Sequence, residues 1–183
     1  EAGAVLGDDP FLEAARETAR FVLSRLSHKG HLARSWAKGR RGPHGVLEDY
    51  AAMAIGLFSL YAATGESEWY ADGLRLTELI PELFADPDGG FFTTPSDAAD
   101  LIVRPKDHFD NPAPSGNSLA AEALAMASAY SGNTELWDLA EATVRAGAAI
   151  LERAPSGAGH LLSVLLTLLD GPRELAVVGP DAP

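Results

Sequence analysis

The sequence predicts an all-α fold of about three inner/outer helical hairpins with a short strand-like tail. Three observations predict it. A glycine-centred turn recurs as Leu6-Gly7-Asp8-Asp9-Pro10-Phe11-Leu12, Thr64-Gly65-Glu66-Ser67-Glu68-Trp69-Tyr70 and Ser131-Gly132-Asn133-Thr134-Glu135-Leu136-Trp137. Apolar residues return at helical spacing before the second and third turns and after all three. The helix before a turn is apolar nearly all round, and so is an inner one. The helix after it carries a polar stripe and lies outside.

In chain order, each glycine ends one helix as a left-handed cap, and the acidic, amide or hydroxyl residues behind it open the next. Outer helices are expected over 11–26, 69–84 and 136–151. Inner helices precede Gly65 (Tyr50, Met53, Ala54, Leu57, Phe58, Leu60, Tyr61) and Gly132 (Leu119, Ala123, Leu124, Ala127, Tyr130). Pro155-Ser156-Gly157 breaks the chain, 159–169 reads as a third inner helix, and Gly171-Pro172 stops it. The hairpin region is thus 1–171. The tail is 172–183, with 174–178 reading as a short strand.

Gly7, Gly65 and Gly132 lie 58 and 67 residues apart, longer than common helical repeats of about 34–47 residues. The surplus falls in two connections, 28–46 and 86–114, each joining an outer helix to the next inner one at the same end of the stack. Anchors within them (Leu32 and Trp36; Phe91, Phe92, Leu101, Ile102 and Val103) favour order. Long connections of this kind are commonly functional, so a site is expected at that end.

Composition narrows the function classes. The 183 residues hold 26 acidic and 14 basic side chains, a formal charge of -12, which argues against sequence-independent nucleic-acid binding. Without cysteine the chain offers no disulfide, thiol nucleophile, zinc knuckle or iron–sulfur site. No apolar run approaches the roughly 20 residues of a bilayer span; 161–169 is the longest. The expectation is a cytoplasmic protein without membrane contact, and a chain opening on Glu1 reads as a piece of something longer.

Five strings carry a resemblance. Gly45-Val46-Leu47-Glu48-Asp49-Tyr50-Ala51, Leu60-Tyr61-Ala62-Ala63-Thr64-Gly65, Gly89-Gly90-Phe91-Phe92-Thr93-Thr94, Leu101-Ile102-Val103-Arg104-Pro105-Lys106-Asp107 and Pro114-Ser115-Gly116-Asn117-Ser118 resemble, in this order, the C-terminal half of the thioredoxin-domain-containing family that includes spermatogenesis-associated protein 20. The resemblance implies a partial (α/α)6 toroid related to the N-acylglucosamine 2-epimerase and six-hairpin glycosidase architecture. It also implies an N-terminal thioredoxin-like domain as a partner outside this chain, and a carbohydrate-active pocket of the epimerase, isomerase or glycosidase kind. The alternative is a non-catalytic scaffold module serving that domain.

Candidate residues cluster at the expected functional end. Glu48, Asp49 and Tyr50 open an inner helix; capping accounts for the carboxylates, and lining a central funnel would make Asp49 a general base and Glu48 or Tyr50 ligands of a sugar. Ser115, Asn117 and Ser118 open the next; they read as a cap or as a cradle for an anion or sugar oxygen. Arg104, Lys106, Asp107 and Asp110 share one loop, and either pair with one another or bind a polyol. Asp49 with Asp110 would supply the two carboxylates that glycoside hydrolysis needs. The first connection holds Lys29, Arg34, Lys38, Arg40 and Arg41 without an acid. It reads as a solvated loop or as an electropositive rim for phosphorylated or acidic ligands, with Trp36 beside Arg34 stacking a sugar or anchoring the loop. Among His28, His31, His44, His108 and His160 no spacing signals a metal or a catalytic pair, and His160 is the best placed for a substrate. No cofactor and no metal are expected. Half a ring exposes apolar edges, so a homodimer or other assembly is expected to cover them.

Overall fold

The structure, a computed structural model, describes residues 2–7, 9–98 and 103–172. The strand-like reading of 174–178 and the anchors Leu101 and Ile102 lie outside the described residues. The fold is all-α in its layers. Helix α1 (Ala2–Leu6) turns at Gly7 into α2 (Asp9–Phe21), which continues as a π-helical turn, Val22–Leu26. Next come α3 (Leu47–Thr64), α4 (Ser67–Phe84), α5 (Gly116–Ser131), α6 (Thr134–Ala146), α7 (Ala148–Arg153) and α8 (Gly159–Asp170).

The three glycine turns form as the repeat predicts. Gly7, Gly65 and Gly132 have φ of 64°, 70° and 72°, and the last two donate their N–H groups to Tyr61 O and Ser128 O at 2.8 Å. A left-handed backbone there satisfies the last carbonyls of the inner helix and reverses the chain. Helix α3 pairs with α4 and α5 with α6; α3, α5 and α8 contact one another in sequence as the inner layer. Their core holds Tyr50, Leu57, Phe58, Trp69, Leu76, Ile80, Phe84 and Leu124, each essentially without exposure. Gly73 lets α4 lie close to α3, because a Cβ there would sit 2.8 Å from the Phe58 ring.

Two elements differ from the sequence expectation. The outer helix expected over 136–151 is broken at Gly147 into α6 and α7. A Cβ at Gly147 would stand 2.5 Å from the Leu161 side chain, so a larger residue there would force Leu161 of α8 to shift. The first connection is ordered, as its anchors favour, but by two small antiparallel ladders that were not expected, β1 (Ser27–His28) with β2 (His31–Leu32) and β3 (Trp36–Ala37) with β4 (Arg40–Arg41). Each is closed by a Lys-Gly pair with positive φ, Lys29-Gly30 and Lys38-Gly39, the two-residue geometry that matches strand twist.

Apolar side chains remain open at both ends of the row of helices. Val5, Leu6 and Phe11 are 84%, 68% and 52% exposed at the first end, and Leu166 and Leu169 are 64% and 73% exposed on α8. Among the described residues no helix is long and apolar enough to cross a membrane.

Candidate functional site

The inner helices α3 and α5 begin at the same end of the molecule, where both long connections arrive. Leu47 and Gly116, at the two helix starts, touch: a Cβ on Gly116 would lie 3.2 Å from the Leu47 side chain. The first turn of α3 has four N–H groups without helical partners. Leu47 gives its N–H to Thr93 O in the second connection at 2.9 Å, and the Asp49 carboxylate reaches back to the Val46 N–H at 2.8 Å.

That carboxylate stands in an open cavity of about 520 Å³, walled by Leu26, Leu32, Ala33, Met53, Pro114 and Leu119, within the roughly 300–1,000 Å³ common for small-ligand sites. Arg34, Glu48 and Asp49 bring the charge: Arg34 Nη2 is 2.6 Å from Glu48 Oε1, and Nη1 is 3.3 Å from Asp49 Oδ2. Burial pushes the Asp49 carboxyl above the ordinary carboxylate range, and this outweighs the Val46 N–H and the Arg34 charge, which pull it down. Asp49 Oδ1 accepts no hydrogen bond among the described residues. Glu48 and Arg34 are half-exposed.

The second connection treats its polar residues differently. Asp110 accepts from Ser115 N–H and the Ser118 hydroxyl through Oδ1, each at 2.8 Å, and from His160 N–H at 2.8 Å and Leu161 N–H at 3.4 Å through Oδ2. One carboxylate thereby ties the start of α5 to the start of α8. Its burial acts to raise the pKa, but the four donors together prevail and hold it below the usual range. A carboxylate this fully engaged is a poor proton acceptor, and Asp110 is not among the residues that line the Asp49 cavity, where the second acid is Glu48.

Asn117, 1% exposed, is spent on the backbone: Oδ1 accepts from Phe91 N–H at 2.8 Å, and Nδ2 donates to Phe91 O at 2.9 Å and Asp107 O at 2.8 Å. Ser115 caps α5 by accepting the Ser118 N–H at 3.1 Å, and its hydroxyl lies 2.9 Å from that of Ser118. Arg104 donates to Thr94 O and Leu83 O and stacks 4.2 Å from the Phe92 ring centroid. Lys106 donates to Gly89 O and pairs with Asp86, both at 2.6 Å. Asp107 accepts from Phe109 N–H. The phenol oxygen of buried Tyr50 accepts from the Leu32 N–H at 2.8 Å, pinning the first connection to α3. Asn117, Ser115, Arg104, Lys106, Asp107 and Tyr50 thus meet at the predicted end, yet each serves the backbone, while the Ser118 hydroxyl serves the Asp110 carboxylate.

Trp36 lies between two guanidiniums, those of Arg25 and Arg41, 5.9 and 5.7 Å from its ring. His160 stands apart from the Asp49 cavity, in a second one of about 250 Å³ between α5 and α8 that also takes in Met126, Trp137, Ser163 and Thr167. There His160 Nε2 is 2.8 Å from Glu122 Oε2. Glu122 was not a candidate from sequence, because its partner sits 38 residues away; its place as the lone charge in the apolar α5 run is the signal that could have found it. Among the described residues no group of three or more His, Cys, Asp or Glu is placed to hold a metal ion.

The architecture and its polar cleft define an all-α repeat of helical hairpins with a ligand-sized opening at the inner-helix starts. No protein-family model matches the chain. It is homologous to spermatogenesis-associated protein 20: 30% identical to the mouse protein over 189 residues, which covers 97% of this chain and 24% of that protein. The human protein shows the same identity and shares. An uncharacterised protein of Caenorhabditis elegans is 26% identical over 122 residues, 62% of this chain and 17% of that protein. The chain spans about a quarter of the length of the mouse and human relatives.

Proposed function

We propose that this chain is the C-terminal part of a larger protein like spermatogenesis-associated protein 20, building about half of an (α/α)6 ring, and that its Asp49 cavity binds a carbohydrate or similar polyol. The observation that carries the reading is the convergence of Arg34, Glu48 and Asp49 on one cavity of about 520 Å³ at the inner-helix starts. In this reading Arg34 and Glu48 hold ligand oxygens by charge-assisted hydrogen bonds. Asp49, with a raised pKa and an unengaged Oδ1, is the group to move a proton at a sugar carbon or glycosidic oxygen.

The test is calorimetric titration of a panel of neutral sugars into the full-length protein. At least one sugar should bind, and Glu48→Gln, which keeps the side chain's shape and removes its charge, should weaken it about tenfold. If no sugar binds, or if Glu48→Gln leaves the affinity unchanged, the reading falls. The exposed apolar side chains at both ends favour a second reading, a scaffold that docks other parts of the long protein through Val5, Leu6, Leu166 and Leu169. It predicts that Leu6→Asp or Leu169→Asp separates those parts in limited proteolysis while the sugar titrations stay blank.

A further inference from the structure

The first connection leaves charges unspent, and it also encloses a further recess. Residues Leu26, His28, His31, Leu32, Ala33, Arg41, Gly42, Pro43 and His44 enclose about 180 Å³ within the paired ladders. Three imidazoles and the Arg41 guanidinium line it, with no carboxylate among the described lining residues; one Arg41 Nη donates to Ser27 O at 3.3 Å and leaves the other N–H groups available. The His31 ring stands edge-on to His44, centroids 4.9 Å apart. Asp97 engages its Nε2 at 3.1 Å, whereas its Nδ1 is buried without a hydrogen-bond partner among the described residues. An orphaned buried ring nitrogen is costly unless a ligand meets it. Outside the recess, Arg25, Lys29, Lys38 and Arg40 are exposed and make no ion pair among the described residues, in a chain whose overall charge is -12. So local a concentration of positive charge draws anions to this edge.

We propose that this recess binds a phosphate-type oxyanion, with Arg41 giving the guanidinium fork and His31 and His44 supplying ring N–H donors. The recess and the Asp49 cavity share the walls Leu26, Leu32 and Ala33. Phosphate in the recess therefore serves as the handle of a phosphorylated ligand whose body enters the larger cavity. The handle rests on the carbohydrate reading above; the recess itself does not. Arginine is suited to the role because its planar donors match two phosphate oxygens at once.

Calorimetric titration of inorganic phosphate into the full chain tests the recess. Arg41→Glu should weaken phosphate binding by about tenfold or more, and His44→Leu by about threefold, since each removes a donor. Arg153→Glu, reversing an exposed cation on α7, should leave it unchanged. Circular dichroism and a thermal melt check that each variant folds, and His44→Leu keeps the test decisive if Arg41→Glu does not. Absence of phosphate binding, or equal loss in Arg41→Glu and Arg153→Glu, overturns the recess. Glucose 6-phosphate should then bind more tightly than inorganic phosphate; equal affinities retain the recess and overturn the handle. Failure of the carbohydrate reading shows separately, in neutral sugars and Glu48→Gln.

Discussion

Residues 27–46 and 85–115 do the same topological job, carrying the chain from an outer helix back to an inner one at the same end. They differ in where their charges go. In the later connection Arg104, Lys106, Asp107 and Asp110 are engaged with backbone or with Asp86. The earlier one is held by its own ladders, by the Tyr50 hydroxyl and by Arg41 on the Ser27 carbonyl, and its lysines and arginines, Arg34 excepted, have no acidic partners among the described residues. The lesson is that polar richness in a loop has two sources. A loop with few backbone partners of its own borrows side chains to satisfy them, whereas a loop closed by ladders leaves its side chains available.

Substitutions in the two connections should separate these roles. Asn117→Ala strands the buried Phe91 N–H and carbonyl, and should cost roughly 2–4 kcal/mol by urea unfolding. A loss below about 1 kcal/mol would mean that the Phe91 backbone finds other partners. Asp110→Ala removes the shared cap of α5 and α8, with an expected cost of about 2 kcal/mol in the same measurement. Lys106→Met gives up a partly buried pair and one carbonyl, for about 1 kcal/mol. Lys38→Glu and Arg40→Glu, on the free rim, should change stability by no more than about 0.5 kcal/mol while weakening phosphate binding. If the rim substitutions destabilise as much as Lys106→Met, the contrast between the connections disappears.

The acids on the two sides should also titrate in opposite directions. Asp110 is held below the ordinary carboxylate value, so its contribution is present above that value and lost as pH falls through the folded-state pKa. Asp49 is pushed above it, so its contribution is full below the ordinary value and lost as pH rises through the raised pKa. Carbon-detected NMR of the side-chain carboxyls should find Asp49 titrating at higher pH than Asp110. The reverse order would contradict the assignment of Asp110 as the staple and Asp49 as the group facing the cavity.

The hairpins were legible because their signals are local. Gly65 and Gly132 mark left-handed caps by being the residue that tolerates them, and the apolar spacing around them follows from one helix at a time. The ladders of the first connection had a local signal too, the Lys29-Gly30 and Lys38-Gly39 pairs, but strands of two residues are too short for alternation to show. Asn117 and Asp110 were legible as positions at the right end, not as roles. An amide or carboxylate at a helix start looks the same whether it meets a ligand or another segment's backbone, and only the fold brings Phe91 or His160 to it. The break at Gly147 likewise depends on Leu161 of another helix.

Asp110 has one more consequence, for the way the molecule opens. An amide in the first turn of a helix has no partner within that helix and normally exchanges its hydrogen with water freely. The His160 amide is held instead by a carboxylate 50 residues earlier in the chain. Any slowing of its exchange therefore reports the docking of α8 on the preceding hairpin rather than the integrity of α8 itself. Compared with amides in the middle of α8, it distinguishes a terminal unit swinging away intact from one that melts.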